Sequence, residues 1–302
     1  MISVLLSQMA IMFIYIVIGM IAYKTKIITN EGSRTIGALL VNFIMPFLII
    51  NSFCLEYSSE KLAELGQSFL FATIATAVSL LMSFVLFKKD SISNMASSFS
   101  NAGFFGVPVV TAVLGPEYTL CATPLLCYVG VLQYTYGSIL FSNKKIKFKK
   151  IISNPYIVAT AIGLVLFITK TGNRLPAIPK TCISSIAALN VPLAMMNLGV
   201  YLAQSDFKKL FTTLKLYKVC LARLLLIPLI EIPVFMIIPK NTSVKLAVII
   251  GAMAPCGANT AVYAQLYNKD YVFACQTVAL STLVSLATIP AVTVLANTLF
   301  TI

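Results

Sequence analysis

The sequence predicts an all-α membrane protein of ten transmembrane helices, arranged as two inverted repeats of five helices in which helices 4 and 9 are broken and cross. Hydrophobic residue types make up 59% of the 302 residues and charged types only 10%, and ten apolar segments fill nearly the whole chain. A soluble globular protein carries charged types at roughly 25%. This chain cannot cover itself with a solvated surface, so its surroundings must be lipid.

The apolar segments have the length of helices that cross a bilayer, which need about 20 residues each. They are predicted at about 3–23, 35–54, 66–87, 92–114, 118–142, 151–169, 180–203, 215–238, 243–265 and 271–298. The first begins almost at Met1 without a basic region before it, which favours a retained helix over a signal peptide. These segments leave no room for a separate soluble domain.

The basic residues predict the orientation in the membrane. Fifteen of them lie in alternate loops on one side: Lys24, Lys26, Arg34, Lys88, Lys89, Lys144, Lys145, Lys147, Lys149, Lys150, Lys208, Lys209, Lys215, Lys218 and Lys269. Six lie on the other side: Lys61, Lys170, Arg174, Lys180, Lys240 and Lys245. The richer side should face the cytoplasm, so we expect a multi-pass plasma-membrane protein with both termini extracellular. The net charge of +13 then indicates anionic lipid beside the loops and not a nucleic-acid partner.

The midpoint of the chain provides a predicted boundary. The basic run at 144–150 should be a cytoplasmic linker between a first five-helix repeat, 1–143, and a second, 151–302. Because five is an odd number, the second repeat must cross the membrane in the opposite sense. Inverted repeats are typical of secondary transporters.

The fourth helix of each repeat contains Gly and Pro near its middle. The first reads S-N-A-G-F-F-G-V-P from Ser100 to Pro108, and the second reads G-A-M-A-P-C-G-A-N from Gly251 to Asn259. Proline removes a backbone N–H and Gly weakens a helix, so we expect both helices to be interrupted and to meet near the bilayer midplane. Helix ends and neutral amide side chains at such a place suit the binding of an anion. The predicted substrate-binding residues are Asn101, Gly103, Gly106, Pro108, Pro255, Gly257 and Asn259.

Two ionisable residues fall within the eighth apolar segment. Arg223 lies about one turn after Lys218, and we expect its side chain to reach the cytoplasmic edge of the membrane. Glu231 lies deeper, and about 12 Å of helical rise separates it from Arg223, which excludes a direct pair along one helix. A buried acid is a candidate for coupling to protons or cations, and a purely structural role is an equal alternative.

The composition excludes several kinds of catalysis. The chain has no His and 9 acidic residues, which leaves no ligand set for a catalytic metal and no His-based proton relay. It also lacks a Walker-type G-K-[ST] motif for ATP. We therefore predict no enzyme activity, no metal site and no cofactor.

Four motifs in order along the chain resemble the auxin efflux carrier family, in its bacterial form and not the plant PIN form. They are N-x-x-x-x-G-x-P at Asn101 to Pro108, S-N-P-Y-I-V-A-T-A-I-G at Ser153 to Gly163, P-L-A-M-M-N-L-G-V-Y-L at Pro192 to Leu202, and A-V-Y-A-Q-L-Y-N-K-D-Y at Ala261 to Tyr271. The resemblance implies a scaffold of helices 1, 2, 6 and 7, a moving bundle of helices 3–5 and 8–10, and a homodimer. It also implies that Asn101 contacts a substrate carboxylate and that Pro108 and Pro255 are the crossing prolines.

The chain departs from the plant members in two places. Their long loop between the repeats is absent, and their sixth-helix N-P-N-T-Y is reduced to Asn154, Pro155 and Tyr156. Auxin is therefore not the expected substrate.

The sequence favours a secondary transporter of small organic anions, coupled to protons or sodium or to neither. One alternative is a sodium-coupled symporter similar to the bile-acid carriers, although neither break contains an acid to hold sodium. The other is a membrane scaffold or enzyme without transport, for which no catalytic constellation is found.

Overall fold

The computed structural model describes residues 2–142, 151–204 and 207–301, and in these ranges the chain is almost entirely helical. The predicted linker at 144–150 lies outside the described residues. The helices are α1 (Ile2–Lys24), α2 (Asn30–Phe53), α3 (Ser59–Phe87), α4 (Ser91–Ser98), α5 (Ala102–Leu114), α6 (Pro116–Ser142), α7 (Pro155–Ile168), α8 (Ala177–Gln204), α9 (Phe207–Thr212), α10 (Leu214–Ile237), α11 (Thr242–Ala252), α12 (Asn259–Leu266) and α13 (Tyr271–Phe300). The predicted all-α membrane fold is confirmed at this level.

Seven of these helices are long and apolar enough to cross a membrane, namely α1, α2, α3, α6, α8, α10 and α13. Three shorter apolar helices, α5, α7 and α11, accompany them. Each of the ten predicted apolar segments overlaps one member of these two sets.

Two of the long helices begin earlier than their hydropathy predicts. Helix α2 begins at Asn30, where the side chain of Thr29 accepts a hydrogen bond from the backbone of Gly32. Helix α3 begins at Ser59, where the Ser58 side chain caps the first turn in the same way. Polar capped turns are helical but not apolar, so a hydropathy criterion leaves them out.

Helices α1 and α8 approach each other closely through glycines. A methyl group on Gly19 would lie 2.0 Å from the backbone oxygen of Met196, and one on Gly199 would lie 2.0 Å from that of Ile16. Helices in lipid often associate through such contacts, because small residues let two backbones approach closely and make van der Waals contacts along their length.

The helices pack as two groups. In the first group α1 packs on α8, α8 on α2 and α2 on α7. The second group consists of α3, α4, α5, α6, α10, α11, α12 and α13. The groups meet where α5 packs on α1, where α8 packs on α13, and where α6 packs on α2 and α7. Movement of one group against the other stays a prediction.

Helix α13 connects two opposite faces of the molecule. At its start the Tyr271 hydroxyl donates to Gln204 Oε1 at the end of α8, at 2.8 Å. At its other end the backbone oxygen of Phe300 accepts from Thr242 Oγ1 at the start of α11, at 3.0 Å. The end of α8 and the start of α11 therefore lie on opposite faces.

Candidate functional site at the crossing of two broken helices

Both predicted interruptions are present, and they touch. Between α4 and α5 the chain is extended at Phe99, and between α11 and α12 it is non-helical from 253 to 258. The two stretches pair in antiparallel fashion: Asn101 N–H donates to Pro255 O at 2.7 Å, and Gly257 N–H donates to Phe99 O at 2.9 Å. Backbone groups freed by one break are thus satisfied by the other, as burial requires.

The crossing has two electrically different sides. Helices α5 and α12 begin there, and α4 and α11 end there. Helix starts carry partial positive charge from unpaired N–H groups, and helix ends carry partial negative charge from unpaired carbonyls. We call these the start side and the end side.

A small cavity, the crossing cavity, lies on the start side. About 20 Å³ of it is open to the centre of a water molecule, which is room for about one water. It is lined by Met45, Ser100, Asn101, Ala102, Gly103, Phe104, Leu126, Val129, Gly130, Gln133, Tyr156, Gly257, Ala258 and Asn259.

Asn101 supplies the most distinctive polar group of this cavity. Its side chain is 4% exposed, and its Nδ2 has no hydrogen-bond partner among the described residues. Leaving a buried amide donor unpaired costs about 1–3 kcal/mol. By contrast, Asn259 Nδ2 is already used, since it donates to Gln133 Oε1 at 2.7 Å.

The two predicted glycines of this cavity lie in tight surroundings. A methyl group on Gly103 would lie 2.1 Å from Met45 Cε, and one on Gly257 would lie 2.9 Å from Gln133 Nε2. Larger residues at either position would enter the space beside Asn101.

The remaining predicted residues lie around the crossing cavity and do not line it. Gly106 packs against α11, where a methyl group would lie 2.8 Å from the Cα of Gly251. Pro255 contributes the carbonyl that receives the Asn101 N–H. Pro108 faces a different cavity, described below.

Three polar residues at or beside the crossing were not among the predicted site residues. Gln133 and Tyr156 line the crossing cavity, and Asn190 Nδ2 donates to Gly103 O at 2.9 Å. Each is a polar side chain within or at the start of an apolar helix, and this is the sequence feature that could have indicated a role at the site. The sequence does not reveal which residue of another helix each of them contacts.

Two larger cavities flank the crossing on opposite faces. The Arg34 cavity, about 580 Å³, is lined by Arg34, Gly37, Ala38, Val41, Asn42, Gly130, Gln133, Tyr134, Asn154, Pro155, Tyr156, Tyr201, Asn259, Val262, Tyr263, Gln265, Leu266 and Asn268. The Lys180 cavity, about 510 Å³, is lined by Gln8, Leu48, Asn51, Ser52, Cys54, Leu55, Val107, Pro108, Thr111, Ala112, Pro116, Thr119, Lys180, Ser184, Ala187, Ala188, Asn190 and Val191.

Of these two large cavities, the Arg34 cavity alone shares described lining residues with the crossing cavity, namely Gly130, Gln133, Tyr156 and Asn259. Among the described residues that line these three cavities there is no Asp or Glu, while each large cavity has one cation, Arg34 or Lys180. The lining therefore favours an anionic or neutral ligand over a cation.

Arg223 lies on the end side of the crossing, and the expected position at the membrane edge is wrong. Its side chain is 1% exposed. Nη1 donates to Ser97 O at 2.9 Å and to Ser98 O at 3.4 Å, and Nη2 donates to Ala252 O. The guanidinium stays inside because the ends of α4 and α11 offer it carbonyl partners that lipid cannot.

Glu231 is joined to Arg223 through a serine. Ser79 Oγ donates to Glu231 Oε1 at 3.1 Å and accepts from Arg223 Nη1 at 3.3 Å. Within the described residues the two charges form no direct ion pair, and Glu231 Oε2 has no hydrogen-bond partner. Glu231 is fully buried and lines neither large cavity.

Comparison with models of protein families gives a match. A family model described as "Membrane transport protein" matches residues 4–293. The matched range includes both broken helices, both large cavities, Arg223 and Glu231. A comparison with curated proteins finds no match.

Proposed function

Since the chain belongs to the auxin efflux carrier family of membrane transport proteins, we propose that it is a secondary transporter for small organic anions, chiefly carboxylates. Family membership and the apolar helices make it a multi-pass membrane transporter. The substrate class, the plasma membrane as its location and the alternating-access mechanism are the content of the proposal.

The free side-chain amide of Asn101 is the observation that best supports an anionic substrate. Its unpaired Nδ2 lies beside the starts of α5 and α12, whose first N–H groups favour negative charge. A carboxylate entering this place would accept the Asn101 hydrogen bond and would meet no acidic side chain in the cavity lining. Gln133, held by Asn259, provides the neighbouring amide.

The two large cavities support alternating access. The Arg34 cavity adjoins the crossing cavity, while the Lys180 cavity is separated from it by residues that include Asn190, which is bonded to Gly103. We call the face of the molecule with the Arg34 cavity the Arg34 face and the opposite one the Lys180 face. The positive-inside rule assigns the Arg34 face to the cytoplasm. In our proposal the conformation is therefore open toward the cytoplasm and closed toward the outside.

The proposed architecture is two inverted repeats, 1–143 and 151–302, with ten crossings and both termini extracellular. The pairing of Phe99 to Asn101 with Pro255 to Gly257 supports it, because corresponding breaks of inverted repeats should meet with opposite directions. Helices α1, α2, α7 and α8 would form the scaffold of a homodimer, and the other group would move.

For coupling we propose a proton carried by Glu231. Its unpartnered Oε2 is a place where a proton can be held without breaking the bond from Ser79. A sodium-coupled mechanism has less support, since none of the described residues that line the crossing cavity is acidic.

Uptake by purified protein in liposomes tests the proposal. We expect small monocarboxylates or dicarboxylates to raise the melting temperature of the purified protein and to be exchanged across the liposome membrane. Neutral amides of the same shape serve as controls. Stabilisation and uptake of the amides but not of any carboxylate would contradict the anion assignment, and binding without uptake of any compound would contradict transport.

A further inference from the structure

The guanidinium of Arg223 occupies the end side of the crossing, and we propose that it acts there as a built-in cation in the place where a transporter of this architecture would otherwise bind sodium. The inference rests on the proposed transport function, because it concerns how that function is coupled. It implies that the protein needs no sodium.

The contacts of Arg223 are those of a cation held by helix ends. Its donors reach the backbone oxygens of Ser97, Ser98 and Ala252 and the hydroxyl of Ser79. These oxygens come from three helices, and Arg223 itself comes from a fourth, α10. One side chain therefore fastens both broken helices to α3 and α10.

The charges at this place balance without a further ion. A helix end carries up to about half of a negative charge, so the ends of α4 and α11 together offset about one positive charge. Arg223 supplies that charge in a buried position. Glu231, connected only through Ser79, is then not required as a permanent counter-ion, which agrees with its proposed role as a proton carrier.

Removal of the guanidinium would leave a cavity walled by oxygen atoms. Carbonyls at the ends of broken helices are the groups with which transporters hold sodium ions. An Arg223→Ala variant should therefore bind a small cation where the wild-type protein binds none. If Arg223 were merely structural, its substitution would lower the stability of the protein, and the variant would not bind any cation preferentially.

Melting temperatures of the purified protein in sodium chloride and in choline chloride, at equal ionic strength, test this inference. We expect Arg223→Ala to melt below wild type in choline chloride and to recover by several degrees, saturably, as sodium replaces choline. Wild type and Arg223→Lys, which keep the fixed charge, should melt at the same temperature in both salts. Arg34→Ala removes an exposed cation from the Arg34 cavity and serves as the matched control, with no sodium response.

Two results would overturn the inference. One is saturable stabilisation of wild type by sodium, and the other is an Arg223→Ala protein without a sodium response. If Arg223→Ala does not elute as a monodisperse species in either salt, Arg223→Gln takes its place under the same criteria. These readouts do not involve transport, so a failed uptake assay would count against the proposed function alone.

Discussion

The side-chain amide of Asn190 donates a hydrogen bond of 2.9 Å to the backbone oxygen of Gly103, five residues before Pro108. From Ala102 to Gly106 the backbone has π-helical spacing, in which a carbonyl pairs with the N–H five residues later. Pro108 has no N–H to offer. Asn190 therefore supplies, from the other helix group, the donor that proline withholds.

This relationship predicts that the effects of substitutions at Asn190 and Pro108 are not additive. Asn190→Ala should lower stability by about 1–3 kcal/mol, because Gly103 O loses its buried partner. In a Pro108→Ala background the new N–H can bond to Gly103 O, so the same Asn190 substitution should cost less. Melting temperatures of wild type, the two single variants and the double variant measure the coupling between the two substitutions. Equal costs in the two backgrounds would mean that Asn190 does not replace the missing donor.

The prediction for Arg34 concerns the capture of anions. Arg34 is exposed in the lining of the Arg34 cavity, so its attraction for an anion should be long-ranged and screened by salt. Arg34→Gln should raise the substrate concentration for half-maximal transport at low ionic strength and have little effect at high ionic strength. Lys24→Gln, an exposed cation outside the cavity lining, is the control. An equal effect of both variants would show that only the total charge of this face matters.

The all-α character and the two helix breaks were predictable because they follow from local properties of the chain. The lengths of the apolar segments predict the helices. The Gly and Pro residues around Asn101 and Pro255 interrupt helical hydrogen bonding whatever side chains pack against them. The meeting of the two breaks was expected for a different reason, namely their corresponding positions in the two halves of the chain.

The rest of the site depends on contacts between distant segments. The position of Arg223 was wrongly predicted from its nearness in sequence to Lys218, because its partners Ser97 and Ala252 belong to helices far away in the chain. The bond between Gln133 and Asn259 is of the same kind.

The orientation can be tested with single cysteines. In a Cys182→Ser background, which lacks the exposed native cysteine, Asn173→Cys lies on the Lys180 face and Ile27→Cys on the Arg34 face. We expect an impermeant maleimide to label Asn173→Cys on intact cells and Ile27→Cys only after permeabilisation. The reverse pattern would place the Arg34 cavity outside, and labelling of both on intact cells would contradict the assignment of loops to two faces.

Glu231→Gln should remove the dependence of transport on a pH gradient. The amide keeps the size of the side chain and can accept the Ser79 hydrogen bond, but it cannot release a proton. We expect wild-type uptake to change when a pH gradient is imposed on the liposomes, and the variant to transport at one rate with or without it, with unchanged substrate affinity. Glu60→Gln, an exposed acid at the start of α3, is the control. If transport by the variant still responds to the pH gradient, Glu231 does not carry the coupled proton and its role is structural.

The last prediction concerns the unpaired amide of Asn101. Because its Nδ2 has no partner in the described part of the protein, Asn101→Ala removes no internal hydrogen bond of that group and should not lower the melting temperature. A bound carboxylate would lose one charge-assisted hydrogen bond, so its affinity should fall by about 1.5–3 kcal/mol. Asn101→Asp places a negative charge beside the ligand and should abolish binding at neutral pH.

Asn197→Ala provides the opposite control for this last prediction. Asn197 is also buried, but its side chain accepts from Ser33 and donates to Tyr201, away from the crossing cavity. Its removal should lower the melting temperature and leave carboxylate affinity unchanged, which reverses the pattern expected for Asn101→Ala. Titration of each variant with the best-bound carboxylate, followed by melting temperature, measures both effects. Wild-type affinity in Asn101→Ala and Asn101→Asp would place the substrate elsewhere than the crossing cavity.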